Sequence, residues 1–352
     1  MASARRSGRL VWISSGSGDV DGQAGRRAGG QAGRRTDGRR AGGQTGGRAD
    51  GQTGKRAMSS LKRVLLVVNP HSRRGLRRRE VALRAFAAGN VEVQEVITSH
   101  PGHAREVLKA GDAGWDAVFV LGGDGAVMEV VSALAHSGTP IGVLPGGTGN
   151  LVAGVLGVPL GTRRAVERLL EGDRCTFDLG QLPDGRYFTF AAGVGVDVAM
   201  VEKTPFGSKR ALGMLSYALT ATRAALVHEP VHVKIEVDGK MVEAKAILAM
   251  VANAGAILGG RFSVGPDVKP DDGELDLCVF MPERRRDVFG LIVRLLRKDF
   301  RPHARMTFAR GRKFRITSEP SVSVQADGDI VGRTPIEISV APGAAVFLRP
   351  RP

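Results

Sequence analysis

The feature that most constrains the fold is a repeated alternation of short apolar runs with helical segments between residues 61 and 178. Val64–Val68 is a continuous apolar run rich in β-branched residues, which is typical of a strand buried on both faces of a parallel sheet. This alternation predicts a doubly wound, mostly parallel α/β domain. The expected strands are Val64–Val68, Val91–Thr98, Ala117–Leu121 and Ile141–Leu144, and the expected helices are Val81–Ala88, Ala104–Ala110 and Val127–Ala135.

Beyond residue 178 the pattern changes to short strands separated by Asp-Gly turns, such as Asp238-Gly239 and Asp327-Gly328. Two helical stretches interrupt them, near Lys209–Leu226 and Arg286–Lys298. This pattern predicts a second, mostly antiparallel β-sandwich domain with a cleft between it and the first. The expected strands are Tyr187–Ala192, Val231–Val237, Ala246–Ala252, Glu274–Phe280, Lys313–Ile316, Ser321–Gln325 and Ile336–Val340.

Polar turns follow three strands of the first domain, at the edge where parallel α/β sheets bind ligands. They are Asn69-Pro70-His71-Ser72, Gly122-Gly123-Asp124-Gly125 and Pro145-Gly146-Gly147-Thr148-Gly149-Asn150. Glycine turns let backbone N–H groups approach a phosphate closely, and Asp124 can accept a hydrogen bond from a ribose or help to hold Mg²⁺. Neither the phosphate loop ending in Gly-Lys-Ser/Thr nor the dinucleotide pattern Gly-x-Gly-x-x-Gly is present in the expected place.

The net charge of +16 is unevenly placed, because residues 1–57 hold 12 Lys and Arg against 4 Asp. This segment is rich in glycine and has almost nothing apolar to bury, so we expect a disordered tail. It is either a tail that touches RNA or membrane, or a repeat translated upstream of a natural start at Met58, and the second interpretation is favoured. Two isolated cysteines, Cys175 and Cys278, argue against a disulfide framework or zinc site and favour a reducing cytosol.

The order of these turns resembles the diacylglycerol kinase-like lipid kinases, and most closely their bacterial soluble members, which are related to sphingosine and ceramide kinases. The resemblance spans essentially Leu61 to Pro350. Besides the three turns it rests on Leu156-Gly157-Val158-Pro159, Gly193-Val194-Gly195, Asn253 with Gly259-Gly260, Pro266 through Asp272-Gly273, and Asp327-Gly328-Asp329 before Thr334-Pro335.

The resemblance implies a kinase that uses ATP and Mg²⁺ to phosphorylate a lipid alcohol in the interdomain cleft. The last strand of such proteins commonly returns to the first domain. The expected division is therefore a tail over 1–57, a nucleotide-binding domain over 58–178 plus about 340–352, and a lipid-substrate domain over 179–339.

The implied site has three parts. The implied general base is Asp329, with Asp124 as a second catalytic carboxylate. A structural Mg²⁺ is implied at the Asp272 carboxylate and the backbone carbonyls of Lys269 and Glu274. The expected nucleotide contacts are Asn69, Pro70, His71, Ser72, Arg73, Thr98, Gly122, Gly123, Asp124, Gly125, Ala126, Glu129, Gly146, Gly147, Thr148 and Asn150.

Three residues depart from the family pattern. Ala126 stands where the family usually has Thr, and Met128 where it has Asn, so two hydrogen-bonding side chains are missing. Asp329 replaces the usual Glu and is one methylene shorter; misplacement on that scale costs about 10²-fold in rate. Weakened catalysis is therefore one expected outcome.

A lipid substrate requires contact with a membrane, and residues 284–315 hold 12 Lys and Arg against 2 Asp. Val288, Leu291, Ile292 and Leu295 follow helical spacing in this region, which is typical of a basic amphipathic helix on anionic lipid or of a helix packed on the core. We expect a cytoplasmic protein peripherally associated with the inner face of the membrane. Met214–Leu226 is a candidate lining for an acyl-chain pocket, and a homodimer is left open.

Three alternatives stay open. An NAD kinase shares the Gly-Gly-Asp-Gly turn, although the Pro145–Pro159 segment favours a lipid kinase. A nucleotide- or lipid-binding protein with weakened catalysis would account for Ala126 and Met128. A nucleic-acid binder rests on charge alone, and aromatic residues at 5% are too few for base stacking, so no nucleic acid is expected.

Overall fold

The computed structural model describes residues 61–72, 75–110, 114–195, 229–257 and 262–352. Several predictions made from the sequence lie outside the described residues. These are the tail over 1–57, the nucleotide contact at Arg73, the helix over Lys209–Leu226 with its lining segment Met214–Leu226, and the pair Gly259-Gly260.

The first half is the expected α/β domain, with β2, β1, β3 and β4 paired in that order and all parallel. Nearly every residue of β1, β3 and β4 is buried, so both faces of the sheet are covered. Helix α1 packs beside α5, and α2 packs beside α3. The elements are β1 Arg63–Val68, α1 Gly75–Ala88, β2 Glu92–Ile97, α2 His103–Ala110, β3 Ala117–Gly122, α3 Asp124–Leu134, β4 Pro140–Pro145, α4 Leu151–Val155, α5 Thr162–Leu170, β5 Asp173–Gln181 and β6 Tyr187–Phe188.

The second half is the expected antiparallel β-sandwich. One sheet has the order β14-β13-β10-β7-β16-β17, and the opposing layer is formed by β18, β15, β8 and β9. The elements are β7 Ala191–Gly195, β8 Val231–Val237, β9 Lys240–Ala246, β10 Leu248–Ala252, β11 Ala256–Ile257, β12 Phe262–Ser263, β13 Leu275–Phe280, α6 Arg285–Leu296, β14 Met306–Gly311, β15 Lys313–Glu319, β16 Ser323–Ala326, β17 Asp329–Arg333 and β18 Ile336–Arg349.

Strand alternation divides the side chains of β10 between two cores. Ala249 and Val251 pack inside the sandwich with residues of both layers, such as Ile235. Met250 and Ala252 face the other way, toward the buried side of α6. Helix α6 therefore covers the outer face of the six-stranded sheet.

The long strand β18 belongs to both halves of the molecule. Its first residues pair with β15, Val346 and Phe347 pair in parallel with β4, and β5 runs antiparallel beside it with a bulge between Ala341 and Ala345. The bulge is clamped by Asp178, whose Oδ1 accepts a hydrogen bond from the backbone N–H of Gly343 at 2.7 Å. The division of the chain at about residue 340 stays a prediction.

Several element bounds differ from those expected. Helix α3 begins at Asp124 rather than Val127, so the last two residues of the glycine turn, Asp124 and Gly125, belong to its first turn. Helix α1 begins at Gly75 rather than Val81. Strands β5, β9, β11, β12, β14 and β17 and helices α4 and α5 were not expected. Asp329 is consequently the first residue of a strand and pairs with Ala326, instead of lying in a loop.

Candidate active site

The three polar turns come together at the carboxyl ends of neighbouring strands. The backbone N–H of Asn69 donates to the carbonyl of Leu121 at 3.0 Å, and the N–H of Gly146 donates to the carbonyl of Gly122 at 2.8 Å. A Cβ atom on Gly122 would lie 3.4 Å from the Cβ of Asn69. The parallel order of β1, β3 and β4 thus brings the three turns to one place.

The two glycine-rich turns pack backbone against backbone. A Cβ atom on Gly147 would lie 2.6 Å from the Cα of Gly123, closer than Cβ contacts in proteins come. Asn150, in the left-handed conformation with φ 48°, closes the second turn. Its Oδ1 accepts from the N–H of Gly147, and its Nδ2 donates to the carbonyl of the same residue, both at 2.9 Å. The second turn is therefore a small, internally bonded loop held against the first.

Helix α3 presents its N-terminus to this loop. Its N-cap is Gly123, and no side chain of the described residues caps it. The first N–H groups of a helix lack intrahelical partners and carry the positive end of the helix dipole, which favours an anion such as phosphate. Gly125 in the first turn is exposed, and Thr148 is exposed at the tip of the facing loop.

Asp124 ties the two turns together. Its Oδ1 accepts a hydrogen bond at 2.7 Å from the backbone N–H of Leu151, the first residue of α4. Burial raises the pKa of Asp124, and the negative charge of Asp327 raises it further. One carboxylate oxygen is thus engaged in holding the second turn.

The first polar loop holds an unpartnered hydroxyl. Asn69 Oδ1 accepts from the N–H of His71 at 2.9 Å, and the N–H of Ser72 donates to the Asn69 carbonyl at 3.2 Å. Ser72 Oγ is buried and has no hydrogen-bond partner within the described part of the chain. Since burying a hydroxyl without a partner is costly, this atom is suited to bind a ligand at the edge of the turns.

The remaining expected contacts lie around this centre. Thr98 is buried at the end of β2, where its Oγ1 donates to the carbonyl of Val68 at 3.3 Å, so its hydroxyl already has a partner. Ala126 is buried beneath Gly122, and Glu129 is half-buried one turn further along α3. Pro70 is half-buried and His71 exposed in the first loop.

The turn between β16 and β17 holds two carboxylates in different environments. Asp327 and Gly328 both have positive φ, 47° and 93°, as a two-residue type I′ hairpin requires. Asp327 accepts four hydrogen bonds of 2.7–3.0 Å, from the N–H and Oγ1 of Thr189 and the N–H groups of Phe190 and Ala191. Burial raises its pKa, which these bonds oppose. Asp329 is exposed.

Asp327 is therefore a structural carboxylate that fixes the turn on which Asp329 stands. The sequence indicated the turn but not this function. The available signal was the Asp-Gly pair, which is typical of a tight turn in which the short aspartate side chain can reach nearby backbone N–H groups.

Asp178 is a second buried carboxylate that the sequence reasoning missed. Its Oδ2 accepts from the N–H of Gly273 at 2.6 Å, and Nδ2 of the fully buried Asn253 donates to the Asp178 carbonyl at 2.8 Å. A single aspartate between Phe177 and Leu179 in an apolar run was the signal that could have revealed it. Together with the bond from Gly343 of β18, the bonds of Asp178 join the loop before β13 to β5 and β18.

The carboxylate expected to hold a structural Mg²⁺ has partners within the chain. Asp272 Oδ1 accepts from the N–H of Glu274 at 3.3 Å, and its Oδ2 lies 3.3 Å from Nη1 of Arg310. Within the described ranges no group of three or more His, Cys, Asp or Glu side chains has the arrangement of a metal site. Burial raises the pKa of the neighbouring Asp276 to about 6, against the opposing effect of Arg310.

Comparison with known proteins gives a consistent picture. Residues 63–182 match the family model described as the diacylglycerol kinase catalytic domain, and residues 191–349 match the YegS C-terminal NAD kinase beta sandwich-like domain. A Staphylococcus aureus (strain JH9) protein named "Putative lipid kinase" is 30% identical over 240 residues, covering 66% of this chain and 77% of that protein.

A diacylglycerol kinase of Bacillus subtilis (strain 168) is 27% identical over 283 residues, 79% of this chain and 93% of that enzyme. The crystal structure of a diacylglycerol kinase from Bacillus anthracis superposes with a TM-score of 0.70 at 26% identity, covering 83% of this chain and 98% of the other.

Proposed function

Because the chain belongs to the diacylglycerol kinase-like family and is a lipid kinase, we propose that it transfers the γ-phosphate of ATP to the hydroxyl of diacylglycerol or a related lipid alcohol. The acceptor would enter the cleft between the three polar turns and the 327–329 turn. The observation that carries the proposal is the direct packing of the two glycine turns at the uncapped start of α3.

The phosphates of ATP are assigned to this cradle. The N–H groups of the first turn of α3 and of the loop closed by Asn150 would donate to phosphate oxygens, and Ser72 Oγ, which has no partner among the described residues, would gain one. Mg²⁺ bound to the ATP phosphates neutralises part of their charge in phosphoryl transfer generally. Asp124 has a positioning role, because it holds the second turn through Leu151.

Asp329 is assigned as the general base. Its exposed carboxylate would accept the proton of the lipid hydroxyl as the oxygen attacks the γ-phosphate in line. Asp327, bonded to three consecutive residues of the β6–β7 segment, would keep the turn in place during the reaction. The resulting arrangement has the base on one side of the cleft and the phosphate cradle on the other.

The test is transfer of labelled γ-phosphate from ATP by the full chain to a panel of acceptors in mixed micelles. The panel contains diacylglycerol, undecaprenol, sphingosine and, in solution, NAD. We expect a phosphorylated lipid and no phosphorylated NAD. Transfer to NAD alone would contradict the lipid acceptor, and ATP binding without transfer to any acceptor would contradict the catalytic assignment in favour of a nucleotide-binding protein.

Peripheral contact with an anionic membrane is part of the proposal. Of the two interpretations of the apolar stripe in α6, packing on the core is confirmed: Val288 and Leu291 lie in the core, and Ile292 and Leu295 pack against it. The adjacent face of α6 exposes Phe289, Val293 and Leu296, by 54, 43 and 50%. These three residues follow the i, i+4, i+7 spacing of one helix face.

Exposed basic residues flank this apolar face at both ends of α6. Arg285 and Arg286 stand one turn before Phe289, and Arg297 stands one turn after Val293. An apolar face with basic ends complements an anionic lipid surface, where the apolar side chains enter the headgroup boundary and the guanidinium groups contact phosphates. No helix of the described residues is long and apolar enough to cross a membrane.

We expect replacement of Phe289, Val293 and Leu296 together by Gln to weaken binding to vesicles of equal parts phosphatidylcholine and phosphatidylglycerol by at least about 10-fold, because their apolar area no longer leaves water. Co-sedimentation measures the bound fraction. Leu160→Gln is the matched control, since Leu160 is 69% exposed on the other domain. Equal losses in both variants, or binding to pure phosphatidylcholine as strong as to the anionic mixture, would contradict the assignment.

A further inference from the structure

An arginine of a neighbouring strand contacts the loop that precedes β13. Strands β13 and β14 are antiparallel, and their register places Arg310 directly opposite Asp276. Side chains of directly opposed residues on one face of a sheet lie within contact distance. The strand pairing thus places the guanidinium group of Arg310 beside the acidic segment Asp272–Asp276.

The guanidinium of Arg310 is engaged on all three of its nitrogens. Nε lies 3.1 Å from Asp276 Oδ1 and 4.0 Å from Glu274 Oε2, and Nη1 lies 3.3 Å from Asp272 Oδ2. Nη2 donates to the backbone carbonyl of Asp267 at 2.9 Å. Arginine has a fixed fork of donors and stays charged, so it can bridge several oxygens in the manner of a cation.

These contacts engage the one side chain among the expected Mg²⁺ ligands. Asp272 has one oxygen facing Arg310 and the other accepting the N–H of Glu274. The other two expected ligands are backbone carbonyls, and a second positive charge stands nearby, the ammonium group of Lys269, 3.0 Å from Asp267 Oδ2. A divalent cation would have to displace the guanidinium or lie beside it as a like charge, which is unfavourable in a partly buried site.

We propose that Arg310 takes the place of the structural Mg²⁺ at this loop, so that residues 267–276 are held by an internal cation. The loop then keeps its conformation without a bound metal ion. Its backbone is fixed through Asp178, whose N–H donates to the Pro270 carbonyl at 2.6 Å and whose carboxylate receives the N–H of Gly273. The stability of the folded chain should accordingly be independent of divalent cations when no nucleotide is bound.

The experiment is thermal unfolding of the full chain without nucleotide, in EDTA and in millimolar Mg²⁺, followed by circular dichroism. The expected melting temperatures agree to within about 2 °C, because a ligand that does not bind the native state cannot stabilise it. A larger rise with Mg²⁺ that is lost in Asp272→Asn would overturn the proposal. The result does not depend on kinase activity, so failure of the proposed reaction would leave it standing.

Arg310→Gln provides the converse measurement. With the guanidinium gone, the carboxylates face one another, and we expect a lower melting temperature in EDTA that Mg²⁺ partly restores. Arg310→Gln with Asp272→Asn should lose the restoration. Arg315→Gln, an exposed arginine 3.9 Å from Glu337, is the control and should melt like the wild type under both conditions. The proposal would be contradicted if Mg²⁺ raised the melting temperature of the control by as much as that of Arg310→Gln. It would also be contradicted if Mg²⁺ had no effect on the melting temperature of a folded Arg310→Gln protein.

Discussion

Replacement of Asp329 by asparagine is expected to lower the rate of phosphate transfer to lipid by about 10²–10⁴-fold, the range that a general base contributes. The amide cannot accept the hydroxyl proton. Asp329 is exposed and begins an edge strand, so the substitution should leave the fold intact. The measurement is the single-turnover rate with saturating ATP, together with the dissociation constant for ATP, which should stay within about 3-fold of wild type since the base does not bind the phosphates.

Asp329→Glu is the informative companion to this variant. It keeps the carboxylate and restores the length usual in the family, so we expect it to retain or increase the transfer rate. An asparagine variant that works at the wild-type rate would remove Asp329 from the reaction. A parallel loss of ATP affinity would instead indicate that the substitution disturbs the nucleotide cradle.

The second large effect is expected two residues earlier in the same turn. Asp327→Asn should lower the free energy of unfolding by about 3 kcal/mol, because an amide NH₂ would face donors that now point at a carboxylate oxygen. In either orientation of the amide, its NH₂ group faces two of the four donors, which are the N–H groups of Thr189, Phe190 and Ala191 and the hydroxyl of Thr189. Urea denaturation followed by tryptophan fluorescence and circular dichroism measures the change.

Each of the two substitutions, Asp329→Asn and Asp327→Asn, serves as the experimental control for the other. Both exchange a carboxylate for an amide in the same hairpin, but only one of the carboxylates holds other residues in place. Asp329→Asn should change the free energy of unfolding by less than about 0.5 kcal/mol, as surface substitutions usually do. If Asp327→Asn were equally mild, the network to Thr189, Phe190 and Ala191 would not be what fixes the turn.

The α/β half was predictable because its central strands β1, β3 and β4 are continuous apolar runs and two of the turns that follow them are marked by glycine. β9 could have been found, since Val242, Ala244 and Ala246 alternate with Lys and Glu as a half-buried strand requires. β17 could not, because four of its five residues are exposed and it lies at the edge of its sheet, where pairing alone defines the strand.

For the candidate site, the sequence located the turns but not the contacts between them. The meeting of Gly123 with Gly147 depends on the order of β3 and β4, which no local pattern encodes. The replacement of a metal by Arg310 likewise depends on strand register, and residues 276 and 310 are far apart in the chain. In α6 the apolar residues cover more than half the circumference, and periodicity identified the stripe that packs on the core but not the exposed apolar face beside it.

The strand β18 has a consequence for how the protein is made. It pairs with β4 and β5 in one half and with β15 in the other, yet residues 336–349 follow every other element described here. During synthesis, neither half can complete its sheet until these residues have left the ribosome, so the two halves complete their folding together. Ribosome-bound chains from which this strand has not yet emerged would expose unpaired edges in both halves at once, and chaperones would be needed to prevent their aggregation.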